Sequence, residues 1–306
     1  MTDPTTKTLE APGAVLTYDV RSNVSSTEPV LLLIGSPMGA TGFGTLSGYF
    51  TDRTIVTYDP RGVERSKLGN GATQSTPDVH ADDLHRLISA LDVGPVDLFA
   101  SSGGAVNALA LVARHPEQVR TVVAHEPPLA MVLPDRETAL AAVQDISETY
   151  QRDGFGPGMA KFIVVVSHKG QFPADFVERP APDPAMFGLP TEDDGSRDDP
   201  LLGQNMISCT HYQPDFEALR ATSTRIVLAA GAESEGEMAH RGGVAVAEKL
   251  GAPPVTFPSN HGGFMGGEYG QPPGEPEAFA AKLREILDEG RALYGPIGWP
   301  RDGSTT

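Results

Sequence analysis

The chain is poor in cysteine, tryptophan and positive charge. Its one cysteine, Cys209, rules out an internal disulfide and any thiolate metal cluster. Its 23 Lys and Arg residues stand against 40 Asp and Glu, a net charge of −17. That balance excludes nucleic acid and anionic membrane as expected partners. The acidic residues are dispersed, as on a solvated surface. No apolar run approaches the roughly 20 residues that span a bilayer. Residues 1–10 are polar and lack the apolar core of a secretory signal. A cytoplasmic protein is therefore expected. No metal-ligand cluster is visible, so no metal or cofactor is expected either.

The order of hydrophobic patterns along the 306 residues indicates one α/β domain with an insertion. After a disordered-looking start, residues 13–20 alternate like an edge strand. A continuous apolar run at 29–34 suits a buried parallel strand, and 53–58, 96–99 and 119–124 read as further strands. Thr76 with Pro77 reads as the start of a helix, and Leu84, Leu87, Ile88 and Leu91 give it one apolar face. The alternation of strand and helix then stops. From 129 to 219 the pattern is helical (136–150, 159–167 and 201–211), broken by a Pro/Asp/Gly-rich loop at 180–200. Strands resume at 225–230 and 254–258, and a final helix carries Phe279, Leu283, Ile286 and Leu287. The expected layout is a core of residues 1–128 and 220–306, with a helical cap of 129–219. Its core is a mostly parallel sheet flanked by helices. The tail 295–306, with the one tryptophan, Trp299, carries no readable signal.

The chemistry centres on Ala100-Ser101-Ser102-Gly103-Gly104. A short apolar strand runs into Ser102, and a helical stretch begins at once after it. A serine on so sharp a turn exposes its Oγ and aims the next N–H at any oxyanion formed there, while Ala100 and Gly104 permit close packing. Such a nucleophile needs a base oriented by a carboxylate. Of eight histidines, His261 follows the last strand in a small-residue loop, at the crevice where an α/β sheet gathers its strand ends. His80, His85, His115 and His240 read as solvated helix residues, while His168 and His211 are weaker pocket candidates. The acid is contested. The usual slot, three residues past Gly231, holds Ser234. Glu126 lies where an apolar strand gives way to Pro127 and Pro128, which would hold its backbone; it is favoured, with Glu233 the alternative and Glu235 an exposed acid. Gly103 and Ser36 are the expected oxyanion donors. Met38 and Phe43 are expected as pocket wall. From the cap, Phe162, Val165, Met186, Leu201, Met206 and Tyr212 are expected to line an apolar cavity.

These segments resemble the α/β-hydrolase superfamily over about residues 13–287. The resemblance is carried by Ile34-Gly35-Ser36-Pro37, by Tyr58-Asp59-Pro60-Arg61-Gly62-Val63-Glu64-Arg65-Ser66, by the turn at Ser102 and by Asn260-His261-Gly262-Gly263. Two residues depart from that pattern: Ile34 replaces a histidine and Glu64 a glycine. The pairing of the Ser102 turn with His125-Glu126-Pro127-Pro128 further resembles the zearalenone lactone hydrolases. That resemblance implies Ser102 as nucleophile, Glu126 as acid and His261 as base, without a cofactor. Haloalkane dehalogenases and epoxide hydrolases of similar layout need an aspartate nucleophile, which Ser102 excludes. The expected function is hydrolysis of a small apolar ester or lactone through an acyl-enzyme on Ser102, with a zearalenone-type macrocyclic lactone the specific expectation. Carbon–carbon bond hydrolysis of a diketone and a non-enzymatic small-molecule receptor are the alternatives. A homodimer is the one assembly left open.

Overall fold

Strands buried on both faces are rich in Val, Ile and Leu, and four of them make the middle of the sheet. The computed structural model describes residues 3–69 and 75–294, so the tail 295–306 and Trp299 lie outside the described residues. In chain order the strands are β1 (Thr5–Ala11), β2 (Ala14–Arg21), β3 (Leu31–Ile34), β4 (Ile55–Asp59), β5 (Lys67–Leu68), β6 (Val96–Ser101), β7 (Val119–His125), β8 (Arg225–Gly231) and β9 (Val255–Phe257). Among the described residues they form one sheet in the order β1-β2-β4-β3-β6-β7-β8-β9, with β5 paired to β2. From β4 to β9 the neighbours run parallel; β1, β2 and β5 pair antiparallel at one side.

The helices are α1 (Gly44–Gly48), α2 (Pro77–Leu91), α3 (Gly103–Arg114), α4 (Arg136–Asp153), α5 (Phe155–Val166), α6 (Met206–Thr210), α7 (Phe216–Ala221), α8 (Met238–Leu250) and α9 (Pro276–Tyr294). Strand side chains alternate between faces, and two cores follow. Leu32, Ile34, Val56, Leu98, Ala100 and Val122 meet α2, α3 and α8 on one face. Leu31, Leu33, Ile55, Phe99 and Val123 meet α1 and α9 on the other. A third cluster, built by α4 and α5 with Leu202, Met206 and Met238, sits above the sheet. Between β7 and β8 the described chain is helix and loop only. Within that stretch α7 packs through Leu219 on the sheet core rather than on the α4–α5 cluster. No helix among the described residues is long and apolar enough to cross a membrane.

Four expectations need correction. The strand at 13–20 is no edge: as β2 it lies between β1 and β4. The start of the chain is not disordered: residues 5–11 form β1, registered Thr5↔Val20 to Ala11↔Ala14 on β2. Its side chains are mostly exposed, so backbone pairing rather than burial holds it, and burial is what an apolar pattern reports. The helix expected at 159 begins at Phe155, because Pro157 in a first turn sacrifices no hydrogen bond. His80 is not solvated; it is buried in α2 with Nε2 2.5 Å from Ser75 Oγ, and burial pushes its pKa down to about 3.

At the N-terminal edge of the sheet, fully buried Asp97 on β6 receives Arg120 through two bonds of 2.8 and 2.6 Å and Arg53 at 3.1 Å. This ties β6 to the start of β7 and to the turn before β4. Removing one partner of a buried pair strands the other charges. Asp97→Ala is therefore expected to lower stability by about 3–5 kcal/mol, read as a lower urea midpoint at unchanged m-value.

Candidate active site

The parallel register brings five strand ends to one edge. Ile34 of β3 lies opposite Ala100 of β6, Ser101 opposite His125 of β7, His125 opposite Ala229 of β8, and Gly231 opposite Phe257 of β9. The residues just past those ends are Ser36, Ser102, Glu126, Ser234 and His261. Ligand sites of open α/β sheets lie at such an edge.

Ser102 joins β6 directly to α3 with φ 58° and ψ −128°, a region that L-residues occupy only when the surroundings hold them there. Its N–H donates to His125 O at 2.9 Å, anchoring the turn to β7. Close packing explains the two following glycines. A Cβ at Gly103 would lie 2.5 Å from Ser36 O, and one at Gly104 would lie 2.8 Å from Gly35 Cα. The first N–H groups of α3, Gly103 included, have no acceptor within the helix, and they sit beside the loop that carries Ser36.

Glu126 follows β7 with φ 48° and a fully buried side chain. Its Oε2 is 2.5 Å from His261 Nδ1. Its Oε1 accepts from Gly231 N–H at 2.8 Å and from Ser234 Oγ. Burial alone would raise the carboxyl pKa, but the hydrogen bond from His261 and the nearby imidazoles outweigh it and hold Glu126 at about 2. Burial likewise favours a neutral His261; the Glu126 carboxylate overrides it and holds the imidazole above its ordinary value. Nδ1 is thereby committed to Glu126, and 38 % of the His261 side chain stays accessible. Ser259, two residues earlier, also has positive φ at 65°, so the turn into this loop is constrained as well.

Ser102 and His261 open onto one cavity of about 310 Å³ with Ser36 on its floor. Its wall is mainly apolar and comes from the helices above the sheet, with Phe162, Leu201 and Met206 among the residues expected there. Four others are elsewhere. Met38 packs on the α1–α9 core. Val165 belongs to the interior of the α4–α5 cluster. Tyr212 packs on the sheet core and donates its hydroxyl to Asp78 at 3.1 Å. Met186 is 81 % exposed. Phe43, also expected as wall, is buried between Phe99 and Phe264. His168 packs on Phe172 and Phe176, and His211 is exposed at the end of α6. Neither lines the cavity. Glu233 is exposed and accepts from Ser259 Oγ at 3.3 Å. Ile34 is plain buried core. Glu64 keeps a left-handed φ of 46° and takes hydrogen bonds from Thr41 and Tyr269 at 2.7 and 2.6 Å. It thereby ties the loop after Ser36 to the loop after His261.

Three neighbours escaped the sequence reading. Ser234, which occupies the slot where an acid is usual, serves the acid instead. Asn205 donates to Ser36 Oγ at 2.7 Å from a π-helical turn, 201–205, that no periodicity marks. His125 is fully buried; its ring stacks 5.9 Å from that of His261 and its Nδ1 lies 3.2 Å from Ser101 Oγ. Burial pushes its pKa down to about 4, so it stays neutral beside the ion pair. Cys209 lines the cavity, but burial pushes its thiol up to about 12, so it is no rival nucleophile near neutrality. No group of three or more His, Cys, Asp or Glu among the described residues is placed to hold a metal ion.

A strained serine at a strand-to-helix turn and a histidine held by a buried acid, at the C-terminal edge of a mostly parallel sheet, define an α/β-hydrolase architecture. Comparison with known proteins agrees. The family model described as the alpha/beta hydrolase fold matches residues 29–184. The chain is 32 % identical over 265 residues to the uncharacterized hydrolase YraK of Bacillus subtilis (strain 168), covering 84 % of this chain and 89 % of that one. The chain belongs to the α/β-hydrolase fold family. Its fold is similar to that of a thermophilic esterase from Thermogutta terrifontis, with TM-score 0.63, 18 % identity and coverage of 94 % and 99 % of the two chains. It is equally similar to the enol-lactonase from Burkholderia xenovorans LB400, with TM-score 0.63, 16 % identity and coverage of 92 % and 100 %.

The Glu126–His261 pair makes a signed prediction. In the native protein, the His261 imidazole followed by NMR should titrate above its ordinary value of 6.5. In Glu126→Gln that midpoint should fall, since the carboxylate that chiefly opposes burial is gone and only Glu237 still favours the charged imidazole. The raised value means that the pair stabilises the fold below pH 6.5 and loses that contribution as pH rises through the folded midpoint. An unchanged midpoint in the variant would remove Glu126 as the cause.

Proposed function

We propose that this protein is a cofactor-independent serine hydrolase that cleaves an apolar carboxylic ester or lactone through an acyl-enzyme on Ser102. The observation that carries the reading is the 2.5 Å bond between buried Glu126 and His261 Nδ1, with His261 and the strained Ser102 facing one apolar cavity. The relatives' names support it: one is a hydrolase, and the structural neighbours include an esterase and an enol-lactonase.

In this reading His261 Nε2 takes the proton of Ser102 Oγ as the oxygen attacks the substrate carbonyl. Glu126 stays ionised and stabilises the imidazolium while fixing its tautomer. The tetrahedral oxyanion is met by the N–H of Gly103 and the N–H of Ser36, each such donor being worth about 3 kcal/mol of barrier. Collapse expels the alcohol oxygen, which takes the proton from His261 and leaves the acyl group on Ser102. Water, deprotonated by His261, attacks that ester and releases the acid and free Ser102. For a lactone the two products are one hydroxy acid. Within this class we put forward a macrocyclic lactone of zearalenone type. The similarity of the Ser102 and Glu126 segments to such hydrolases and the apolar wall of the 310 Å³ cavity support it. The small substrate partner, the cytoplasmic setting and the division into core and cap belong to the same proposal.

A fluorophosphonate probe with peptide mass analysis is the first test. One equivalent of label on Ser102, lost in His261→Ala, is expected; an unlabelled native protein would overturn the reading. Glu126→Gln should lower kcat on an activated ester by about 10³–10⁴-fold, and Glu233→Gln by far less. The reverse ranking would reassign the acid.

A further inference from the structure

Among the described residues, Glu237 is the single carboxylate in the wall of the Ser102 cavity. It stands directly before α8, and Met238 and Ala239 continue the same wall. A residue in that position commonly caps its helix, yet the Glu237 side chain makes no cap hydrogen bond. Among the described residues its carboxylate has no hydrogen-bond or ion-pair partner either. Apart from the reactive Ser102 and His261, polar side chains of the wall are engaged within the protein. Thr210 Oγ1 donates to Met206 O at 2.7 Å, Ser167 Oγ donates to Ile163 O, and Asn205 donates to Ser36 Oγ at 2.7 Å. Partial burial and the negative Glu126 push the Glu237 carboxyl above its ordinary value, against the pull of Lys169 and His261. An apolar chamber thus holds one carboxyl group with unspent hydrogen-bonding capacity, close to a second, buried negative charge.

We propose that Glu237 is a specificity-determining residue. It admits esters or lactones whose non-reacting part ends in a hydroxyl or ammonium, and it turns away those ending in a carboxylate. A donor on the substrate gives Glu237 the hydrogen-bond partner that no protein group supplies. A substrate carboxylate instead meets like charge in a partly desolvated site, and such a juxtaposition is costly. The inference deepens the serine-hydrolase reading and rests on it.

The test uses three 4-nitrophenyl esters of equal chain length: hexanoate, 6-hydroxyhexanoate and the monoester of adipic acid. For the wild-type protein, kcat/KM on the hydroxy ester should exceed that on the adipate monoester by about tenfold or more, a factor equal to 1.4 kcal/mol. Glu237→Gln should narrow that ratio several-fold, chiefly through KM, because like-charge repulsion of the ground state is removed. Glu237→Lys should reverse it. Circular dichroism shows which variants fold, and either one suffices for the comparison. Turnover of the hexanoate ester with a ratio that neither substitution moves would overturn the inference alone. A wild-type preference for the adipate monoester would do the same. No turnover of any of the three esters would overturn the hydrolase reading, and the inference with it.

Discussion

The buried carboxylate of Glu126 is the interaction on which the site depends. A charge removed from water costs several kcal/mol unless its lone pairs are met by donors. Here the donors come from separate places: Gly231 at the end of β8, Ser234 in the turn beyond it, and His261 in the loop after β9. Each is in reach only when β7, β8 and β9 lie in their parallel register. The acid therefore both reports and enforces the alignment of that half of the sheet. The charge that the fold must accommodate is the same one that orients the imidazole.

Backbone strain is concentrated around this pair. Ser102, Glu126 and Ser259 all hold positive φ, and each belongs to a turn leaving a parallel strand. Such conformations persist only where surrounding structure over-determines them. The Ser102 turn is held by its hydrogen bond to β7 and by the close approach of α3 to the Ser36 loop. The Glu126 turn is held by its own carboxylate. On the far edge of the sheet, Asp97 with Arg53 and Arg120 gathers the strand starts. One buried acid thus secures each end of the strands, and the apolar layers between them do the rest.

The helices between β7 and β8 contribute differently. Of these, α4, α5 and α6 bury a shared apolar cluster with Met238 of α8, and what α5 and α6 offer the site is the wall facing Ser102. The cavity wall is largely apolar, interrupted by Ser167, Asn205 and Thr210 and, beyond β8, by Glu237 before α8. A site so built couples reactive groups fixed by the sheet to a recognition surface made by the helices above.

Legibility followed the physics of each signal. Strands β3, β4, β6 and β7 were readable because strands buried on both faces are rich in Val, Ile and Leu. Strand β1 was not, because an exposed edge strand is held by backbone hydrogen bonds and shows no apolar face. Ser102, Glu126 and His261 stood out as chemistry-bearing residues at strand ends, and the parallel register brings them to one edge. Met186 and Met206 looked alike as apolar cap residues; the fold exposes one and places the other in the cavity wall. Ser234 looked like a vacant position, and its partnership with Glu126 spans 108 residues of sequence.

Local sequence sets the alternation of strand and helix, the sharp turn at Ser102 and the types of residue available for chemistry. Those properties are local, set by side-chain periodicity, proline and glycine. Tertiary packing selected which carboxylate meets His261, which side chains of the helices above the sheet face Ser102, and that Asn205, His125 and Glu237 surround the site. Those contacts join segments far apart in the chain. They depend on strand register and helix packing, which no local pattern encodes.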